Sequence, residues 1–207
     1  MDDACEINTD AALDDLYAQP AEMITKAISR RLHAHHRSYL AKATFFSFAT
    51  GSVKGIDVSP RGGPPGFVHV IDDETVAFAD WPGNNRIESM RNIVQDDRVG
   101  MLFIFSGLEI FLRLNGRARI STDERLLGEI GEGNRLPKSA ILVAIDELIF
   151  HCGKAINRSG LWKPEFRIEK SELPNAGILL RDLAGLPDSE VAETNEHYDH
   201  GVKTDLY

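Results

Sequence analysis

Cysteine is scarce in this chain of 207 residues, which contains Cys5 and Cys152 and no other. The two lie far apart, and Cys5 falls in an acidic terminal segment, so we do not expect a structural disulfide. No two cysteines have the close spacing of a paired-cysteine metal site. The sequence therefore favours neither a disulfide-stabilised domain nor a zinc-stabilised one.

Long apolar runs are missing as well. No uninterrupted apolar stretch approaches the length needed to cross a bilayer. The first residues also lack the basic segment followed by an apolar stretch that marks a secreted protein. We therefore expect a cytoplasmic protein with no membrane partner.

An excess of positive charge is the third absence. Lys and Arg number 23 against 32 Asp and Glu, which gives a formal net charge of −9. A phosphate backbone would be repelled by this charge, so nucleic acid is not an expected partner. A local basic pocket for one small anion remains open.

The length and an ordinary apolar fraction are sufficient for one sizeable domain with its own core. We divide the chain into a helical extension over residues 1–36, a β-rich domain over 37–163, and a polar, helical tail over 164–207. We expect the tail to pack on the β-rich domain.

The local patterns predict mainly β structure with peripheral helices. Alternating, β-branched and aromatic segments predict strands at 44–50, 56–59, 67–71, 75–79, 98–105, 109–121 and 139–152. Apolar residues at helical spacing predict helices at 9–18, 21–32, 38–42, 86–95, 123–131, 176–183 and 189–197. The short connections between the strands indicate a small antiparallel barrel.

Residues 58–105 contain the pattern with the clearest chemical meaning. Gly83-Asn84-Asn85-Arg86 precedes a segment with helical spacing, so unpaired backbone N–H groups and a guanidinium should meet at a helix start. Such an arrangement suits a phosphate group. The alternative is a helix capped by Asn84 or Asn85 beside a solvated Arg86. Arg61, at the end of the preceding pair of strands, favours the phosphate interpretation because it supplies a second cation.

Five short motifs follow one another between residues 59 and 118. They are Ser59-Pro60-Arg61-Gly62, Pro64-Pro65-Gly66-Phe67, Pro82-Gly83-Asn84-Asn85-Arg86, Arg98-Val99-Gly100-Met101-Leu102-Phe103 and Asn115-Gly116-Arg117-Ala118. Two more follow: Phe150-His151-Cys152-Gly153-Lys154-Ala155 and Arg158-Ser159-Gly160-Leu161-Trp162. In order and spacing, over residues 41–162, they resemble the pyridoxamine 5′-phosphate oxidase-like family of flavin-binding split barrels. The narrower resemblance is to its bacterial flavin-nucleotide-binding branch.

The resemblance implies a six-stranded antiparallel split barrel over 37–163, a homodimer, and FMN bound between the subunits. Arg61 and Gly62 from the second strand, with Asn84, Asn85 and Arg86 from the helix start, would then meet the FMN phosphate. Backbone near Val58 and Ser59 would face the isoalloxazine ring. The partner subunit would contribute Lys154, Arg158 and Trp162.

Two differences from the classical oxidase bear on the activity. That enzyme is similar in outline but has a serine–arginine–lysine arrangement where this chain has Asn84-Asn85-Arg86. Its paired arginine and histidine for pyridoxal phosphate are not evident near this C-terminus. The resemblance thus implies FMN binding without implying pyridoxamine phosphate oxidation.

Two functions remain open at this point. One is an FMN-dependent oxidoreductase acting on a small-molecule substrate, in which the flavin carries the redox chemistry. The other is a non-catalytic FMN carrier or redox-sensing module. No general acid or base can be named from the sequence, so the pattern does not separate the two.

Other polar clusters suggest less. His33, His35 and His36 lack a cysteine or carboxylate at ligand spacing, so we expect no metal there. His151 and Cys152 are neighbours on a strand and should face opposite ways, so they should not pair. Arg113, Arg117 and Arg119 share one face of a strand, which fits a solvated exterior better than an anion-binding platform.

Overall fold

A computed structural model describes residues 6–206 of the chain. The strands are β1 (Phe45–Ser52), β2 (Gly55–Gly62), β3 (Val68–Val70), β4 (Thr75–Asp80), β5 (Arg98–Ile104), β6 (Ile110–Ser121) and β7 (Ser139–Cys152). The helices are α1 (Asp10–Leu16), α2 (Glu22–Lys26), α3 (Ala34–Leu40), α4 (Glu88–Gln95), α5 (Glu124–Glu129), α6 (Lys154–Ser159), α7 (Ala176–Ala184) and α8 (Val191–Thr204). Three single 3₁₀ turns lie at Pro164–Phe166, Lys170–Glu172 and Asp188–Glu190.

All seven strands form one antiparallel sheet in the order β2-β1-β5-β6-β7-β4-β3. The prediction of a mainly β chain with peripheral helices is confirmed. The predicted six-stranded split barrel is wrong in its number of strands, because the sheet has seven; within residues 6–206, no ladder joins its edge strands β2 and β3. Pro64 and Pro65 separate these two strands, and neither proline has the N–H that a continuing ladder needs.

The open sheet is nevertheless strongly curled around one core. Phe46 and Phe48 of β1 touch Phe78 of β4, with ring centroids 5.1 and 5.3 Å apart, although these strands stand four places apart in the sheet. The same core includes Phe103 of β5 and Leu112 of β6, both fully buried. Aromatic packing across the inside of the sheet therefore gives it a barrel-like shape.

The long strands match their predictions closely. β7 has the predicted bounds, and β6 places Leu112, Leu114, Gly116 and Ala118 on the buried face, as its alternation predicts. Gly116 sits at a register shift against β7, where an added Cβ would lie 2.1 Å from the carbonyl oxygen of Ala144. The close approach of the two backbones at this bulge explains why a residue without a side chain stands there.

Among the helices that are shorter than predicted, α2 and α4 are shortened for different reasons. α2 ends at Lys26 because Ser29 joins the sheet, with its N–H and C=O bonded to the backbone of Leu148 at 3.0 and 2.7 Å. α4 begins at Glu88 and not at Arg86, because the loop before it has its own turn, described below. No helix within residues 6–206 has both the length and the apolar character of a membrane span.

A buried histidine ties α3 to the sheet. His36 is 6% exposed, stacks on Phe150 of β7 at 5.1 Å between ring centroids, and accepts a 3.1 Å hydrogen bond at Nδ1 from the backbone N–H of His33. That bond requires an unprotonated Nδ1. Burial lowers the pKa of His36, and the neighbouring His33 and His35 lower it further.

We expect the free energy of unfolding to fall as the pH drops below about 6.5, the ordinary pKa of an unfolded histidine. Because the pKa of His36 is lower in the folded state, the unfolded chain takes up the proton first, and acid then favours unfolding. One such group contributes at most about 1.4 kcal/mol per pH unit.

Urea unfolding between pH 5 and 8 measures this dependence. His36→Asn keeps an acceptor near the Nδ1 position and cannot titrate, so it should flatten the acid limb. His197→Asn is the matched control, because His197 is an exposed histidine of α8 and is not among the groups that shift the pKa of His36. An unchanged slope in His36→Asn would show that His36 does not set the acid sensitivity.

Candidate functional site

The edge strand β2 presents polar side chains on its inward face. Asp57, Ser59 and Arg61 alternate along it with the more exposed Val58 and Pro60. The antiparallel register sets Arg61 opposite Phe46, and its guanidinium carbon lies 5.8 Å from the ring centroid of Phe48. Arg61 is therefore held over aromatic rings of the core, in the position where the sequence predicts a cation.

The loop between β4 and α4 has a fixed turn of its own. Asn84 Oδ1 accepts a 3.0 Å hydrogen bond from the backbone N–H of Arg86, and Asn85 has a left-handed φ of 58°. Asparagine tolerates that conformation better than most residues. Neither asparagine caps the helix: the N-cap residue is Ile87, and it makes no side-chain capping bond. The alternative in which Asn84 or Asn85 caps the helix is therefore wrong, because the asparagines stabilise the loop and not the helix end.

Arg61 and this loop meet in one cleft of about 160 Å³. Its lining includes Arg61, Asp80, Trp81, Asn84, Asn85, Arg86 and Lys138. Three cationic side chains therefore face one carboxylate, which leaves the cleft with an excess of positive charge. The structure brings together the two predicted cation sites, at Arg61 and at 84–86, which are more than twenty residues apart in sequence.

Arg61 is the most buried of these three cations. Its guanidinium is half-buried and donates to the carbonyl of Pro60 at 3.1 Å and to Ser89 Oγ at 3.3 Å. Within residues 6–206, no carboxylate lies within ion-pair distance of it. Burial lowers the pKa of Arg61, against the opposing effect of Asp80 and Asp57. A half-buried guanidinium without a paired carboxylate is a favourable site for an anionic ligand.

The other two cations are less constrained. Arg86 is largely exposed, and its Nε donates to Glu88 at 3.1 Å. Lys138 reaches the same loop from the start of β7 and lies 3.4 Å from Asn85 Oδ1. Asp80, at the end of β4, is the acid of the cleft, and burial raises its pKa while Arg61 and Lys138 act in the other direction. Arg61 thus provides the fixed charge, and Arg86 and Lys138 provide adjustable ones.

Ser89, which the sequence did not single out, holds Arg61 in place. This residue of α4 is 3% exposed. Its Oγ donates to Asp57 Oδ2 at 3.0 Å, accepts from Arg61, and lies 3.1 Å from Ser59 Oγ. With one donor and two acceptor positions in use, the hydroxyl is fully satisfied. It links α4 to the inward face of β2 at the cleft.

We expect Ser89→Ala to lower the free energy of unfolding by about 1–3 kcal/mol, the usual effect of leaving buried polar partners unsatisfied. Both Asp57 and Arg61 lose a partner in this variant. Ser59→Ala is the matched control, since Ser59 makes one side-chain bond and should cost about 0.5–1.5 kcal/mol. Urea denaturation of both variants gives the comparison, and equal losses would argue against a central role for Ser89.

The second group of predicted site residues lies elsewhere in the chain. Lys154 and Arg158 are exposed on α6, directly after β7, and Trp162 Nε1 donates to the carbonyl of Leu108 at 3.0 Å. None of the residues that line the cleft in the described part of the chain belongs to 154–162. Arg61 and α6 are attached to β2 and β7, which are separated by β1, β5 and β6 in the sheet. Within one chain, the two groups of predicted residues do not meet.

The other clusters make structural contacts. On the outer face of the sheet, Arg113 pairs with Glu147, and Arg117 pairs with Asp97 at 2.7 Å. The Nε of Arg113 is buried without a hydrogen-bond partner in the described structure. Within residues 6–206, no three His, Cys, Asp or Glu side chains are grouped as a metal site would require. Cys152 is a free, exposed thiol.

Comparison with known proteins identifies the middle of the chain. The family model described as pyridoxamine 5′-phosphate oxidase matches residues 32–152. No curated protein matches the sequence.

Several solved structures are similar over the same region. HupZ of Group A Streptococcus is 19% identical, with 56% of this chain and 92% of that chain covered and a TM-score of 0.46. General Stress Protein 26 of Bacillus anthracis is 12% identical, with 55% and 88% covered and a TM-score of 0.45. The FAD binding protein of Mycobacterium smegmatis is 17% identical, with 59% and 97% covered and a TM-score of 0.41. All three TM-scores lie below 0.5.

Proposed function

The chain belongs to the pyridoxamine 5′-phosphate oxidase family, and we propose that it is a flavoprotein that binds FMN, with the phosphate in the cleft between Arg61 and the loop at 84–86. The observation that carries this proposal is the half-buried guanidinium of Arg61, which pairs with no carboxylate among residues 6–206 and faces a cleft with excess positive charge. A phosphate dianion would neutralise that excess.

The cleft suits the phosphate end of FMN. Arg61 can donate in a bidentate manner to phosphate oxygens. Arg86 and Lys138 can turn toward the same group, since both have flexible, solvent-exposed ends. Asn84 and Asn85 fix the loop, so that less conformational entropy is lost on binding.

The whole nucleotide needs more room than one chain gives it. The cleft holds about 160 Å³, whereas sites for ligands of this kind usually measure about 300–1,000 Å³. We propose that a second subunit completes the site, with Lys154, Arg158 and Trp162 contributed from its α6 region. Backbone at Val58 and Ser59 would then lie along the ring system, since β2 is an edge strand with one unpaired side.

The outer face of the sheet favours a homodimer. β5 buries Val99, Met101 and Phe103 against the core and leaves Leu102 37% exposed on the other side. Val58 on β2 is 63% exposed. These apolar side chains on the outside of a sheet need a cover, and a second copy in an isologous arrangement provides it.

The most favoured activity is that of an oxidoreductase acting on a small molecule. A bound flavin would supply hydride and single-electron transfer. The chain's own part is to anchor the phosphate through Arg61, to orient the ring along β2, and to exclude water through the second subunit. No catalytic acid or base is assigned.

The second candidate function is a flavin carrier or redox-sensing module. One observation favours it: in the described structure, the cleft is lined by neither histidine nor cysteine, and Asp80 is its one acid. A site that only holds a flavin needs no proton donor.

Two measurements test these proposals in order. The visible absorption spectrum of the purified protein, after FMN addition and desalting, should show the bands of bound flavin; a colourless protein would refute FMN binding. Anaerobic mixing of the FMN complex with NADH or NADPH, followed by a small-molecule acceptor, then separates the functions. Repeated turnover indicates the oxidoreductase, and bound FMN without turnover indicates the carrier or sensor.

A further inference from the structure

Both ends of the chain leave their apolar side chains uncovered. We use the names N-arm for residues 6–28 and C-arm for residues 163–206. Neither α1 nor α2 in the N-arm buries any residue, and the C-arm buries Gly177 alone. The exposed apolar residues include Leu16, Met23, Ile24, Leu180, Leu183 and Tyr198, between 46% and 83% exposed.

These arms have defined structure in spite of this exposure. α7 and α8 pack on each other, with the N–H of Gly177 donating to Asn195 Oδ1 at 2.7 Å. A Cβ at Gly177 would lie 2.4 Å from the carbonyl oxygen of Val191, so the two helices approach closely. One buried glycine cannot compensate for the conformational entropy lost in ordering more than forty residues. The ordered arm therefore requires a surface to pack on.

The exposed area gives the size of the missing contact. The chain exposes 14596 Å², whereas a compact monomer of its mass exposes about 9,600 Å². Two copies together carry an excess of about 10,000 Å², which is more than the roughly 2,000–5,000 Å² that an obligate dimer usually buries when both chains are counted.

The charges indicate what covers the arms. Residues 29–160 carry 17 Lys and Arg against 15 Asp and Glu. The N-arm carries one basic and five acidic residues, and the C-arm five basic and ten acidic residues. The negative charge of the protein thus lies in its arms, while the β-rich body is slightly positive. Acidic arms and a basic body are complementary partners.

We propose that the arms of each chain pack on the body of a second copy of this chain, in an exchanged, isologous dimer. The C-arm begins directly after Trp162, and the segment 154–162 is the one that the proposed function assigns to the partner's FMN site. If residues 154–162 contact the partner subunit, the chain continues directly into the C-arm, which can then pack on the same partner. This inference rests on the proposed homodimer and adds to it the segments that hold it together.

The test compares the full-length protein with a C-arm variant by sedimentation velocity over a concentration series. Leu180→Glu/Leu183→Glu places two charges on the exposed face of α7. Leu183 is 83% exposed, so the change removes little packing within one chain. Leu180→Met/Leu183→Met is the matched control, because it changes the same two positions and keeps them apolar. Circular dichroism checks that all three proteins are folded.

The wild type and Leu180→Met/Leu183→Met should sediment as dimers with nearly the same dissociation constant. The C-arm variant should dissociate at concentrations roughly 30-fold higher or more, the size of a lost interface hot spot. Added salt should weaken the wild-type dimer, because the contact is between opposite charges.

The remaining outcomes separate this inference from the proposed function. If the wild type is a dimer and the C-arm variant has the same dissociation constant, the exchanged arms are wrong and the homodimer still stands. A wild-type monomer would overturn both, whereas phosphate recognition by Arg61 would still be decided by flavin titration. A monomer with the radius of a compact protein would show that the arms fold back on their own body.

Discussion

Replacing Arg61 by alanine should remove most of the protein's preference for FMN over riboflavin. Arg61 is half-buried at the cleft, and in the described part of the chain no carboxylate forms an ion pair with it. A charge-assisted hydrogen bond contributes about 1.5–3 kcal/mol, so FMN affinity should fall about 10- to 150-fold. Riboflavin lacks the phosphate, so its affinity should stay nearly unchanged. Calorimetric titration of both ligands gives the two ratios.

Arg86→Ala is the matched control for this result. Arg86 lines the same cleft, but its side chain is 74% exposed and paired with Glu88. Because solvent screens an exposed charge, Arg86 should contribute less to the free energy of FMN binding than Arg61 does. Its removal should therefore weaken FMN binding by less than the removal of Arg61. If the two variants lost FMN equally, or if Arg61→Ala also lost riboflavin, the phosphate would not be bound as we propose.

The second large effect is a recovery of binding when two damaged proteins are mixed. One variant, Arg61→Ala/Arg86→Glu, lacks the phosphate cleft, and the other, Arg158→Ala/Trp162→Ala, lacks the group lent to the partner. Each alone should fail to retain FMN after desalting. After joint unfolding and refolding in equal amounts, about half of the dimers should be mixed, each with one intact site.

About a quarter of all sites should then hold FMN in the mixture. Each variant refolded by itself is the control and should hold none. Native mass spectrometry confirms that mixed dimers have formed. If the mixed dimers are present and bind no FMN, each site is built within one chain and the shared arrangement is wrong.

The sequence was sufficient to bring Arg61 and the loop at 84–86 together. The sequence placed Arg61 at the end of a predicted pair of strands, and Gly83-Asn84-Asn85-Arg86 marked a tight turn before a helix. The sequence left the role of the asparagines open, between a helix cap and a loop. Asn85 takes a left-handed conformation, and Asn84 bonds to the backbone of Arg86. An Asx turn and a helix cap have the same local composition, so the spacing did not distinguish them.

Lys138 and Ser89 could not be assigned to the site from local pattern. Lys138 is 53 positions from Asn85, and its place follows from the pairing of β4 with β7. In the sequence, Ser89 resembles any polar residue of an amphipathic helix, and its role depends on how α4 packs against β2. Its one sequence-level signal is the polar series Asp57, Ser59 and Arg61 at a period of two, which indicates that something polar must face that strand.

Whether the sheet closes could not be predicted from the sequence either. Each strand was found in the sequence, but whether the sheet closes depends on the contact between β2 and β3. Pro64 and Pro65 break that contact, while Phe46, Phe48 and Phe78 still draw the sheet around one core. The hydrophobic periodicity could not predict that the arms are exposed, because an amphipathic helix has the same pattern whether it packs on its own chain or on a partner.

The most direct test of the central claim is a calorimetric titration of the wild-type protein with FMN and with riboflavin under the same conditions. We predict saturable binding of one FMN per chain, with riboflavin bound at least about tenfold more weakly, as one charge-assisted bond to the phosphate requires. Equal affinity for the two ligands, or no binding of FMN, would contradict the proposal that this cleft recognises a flavin phosphate.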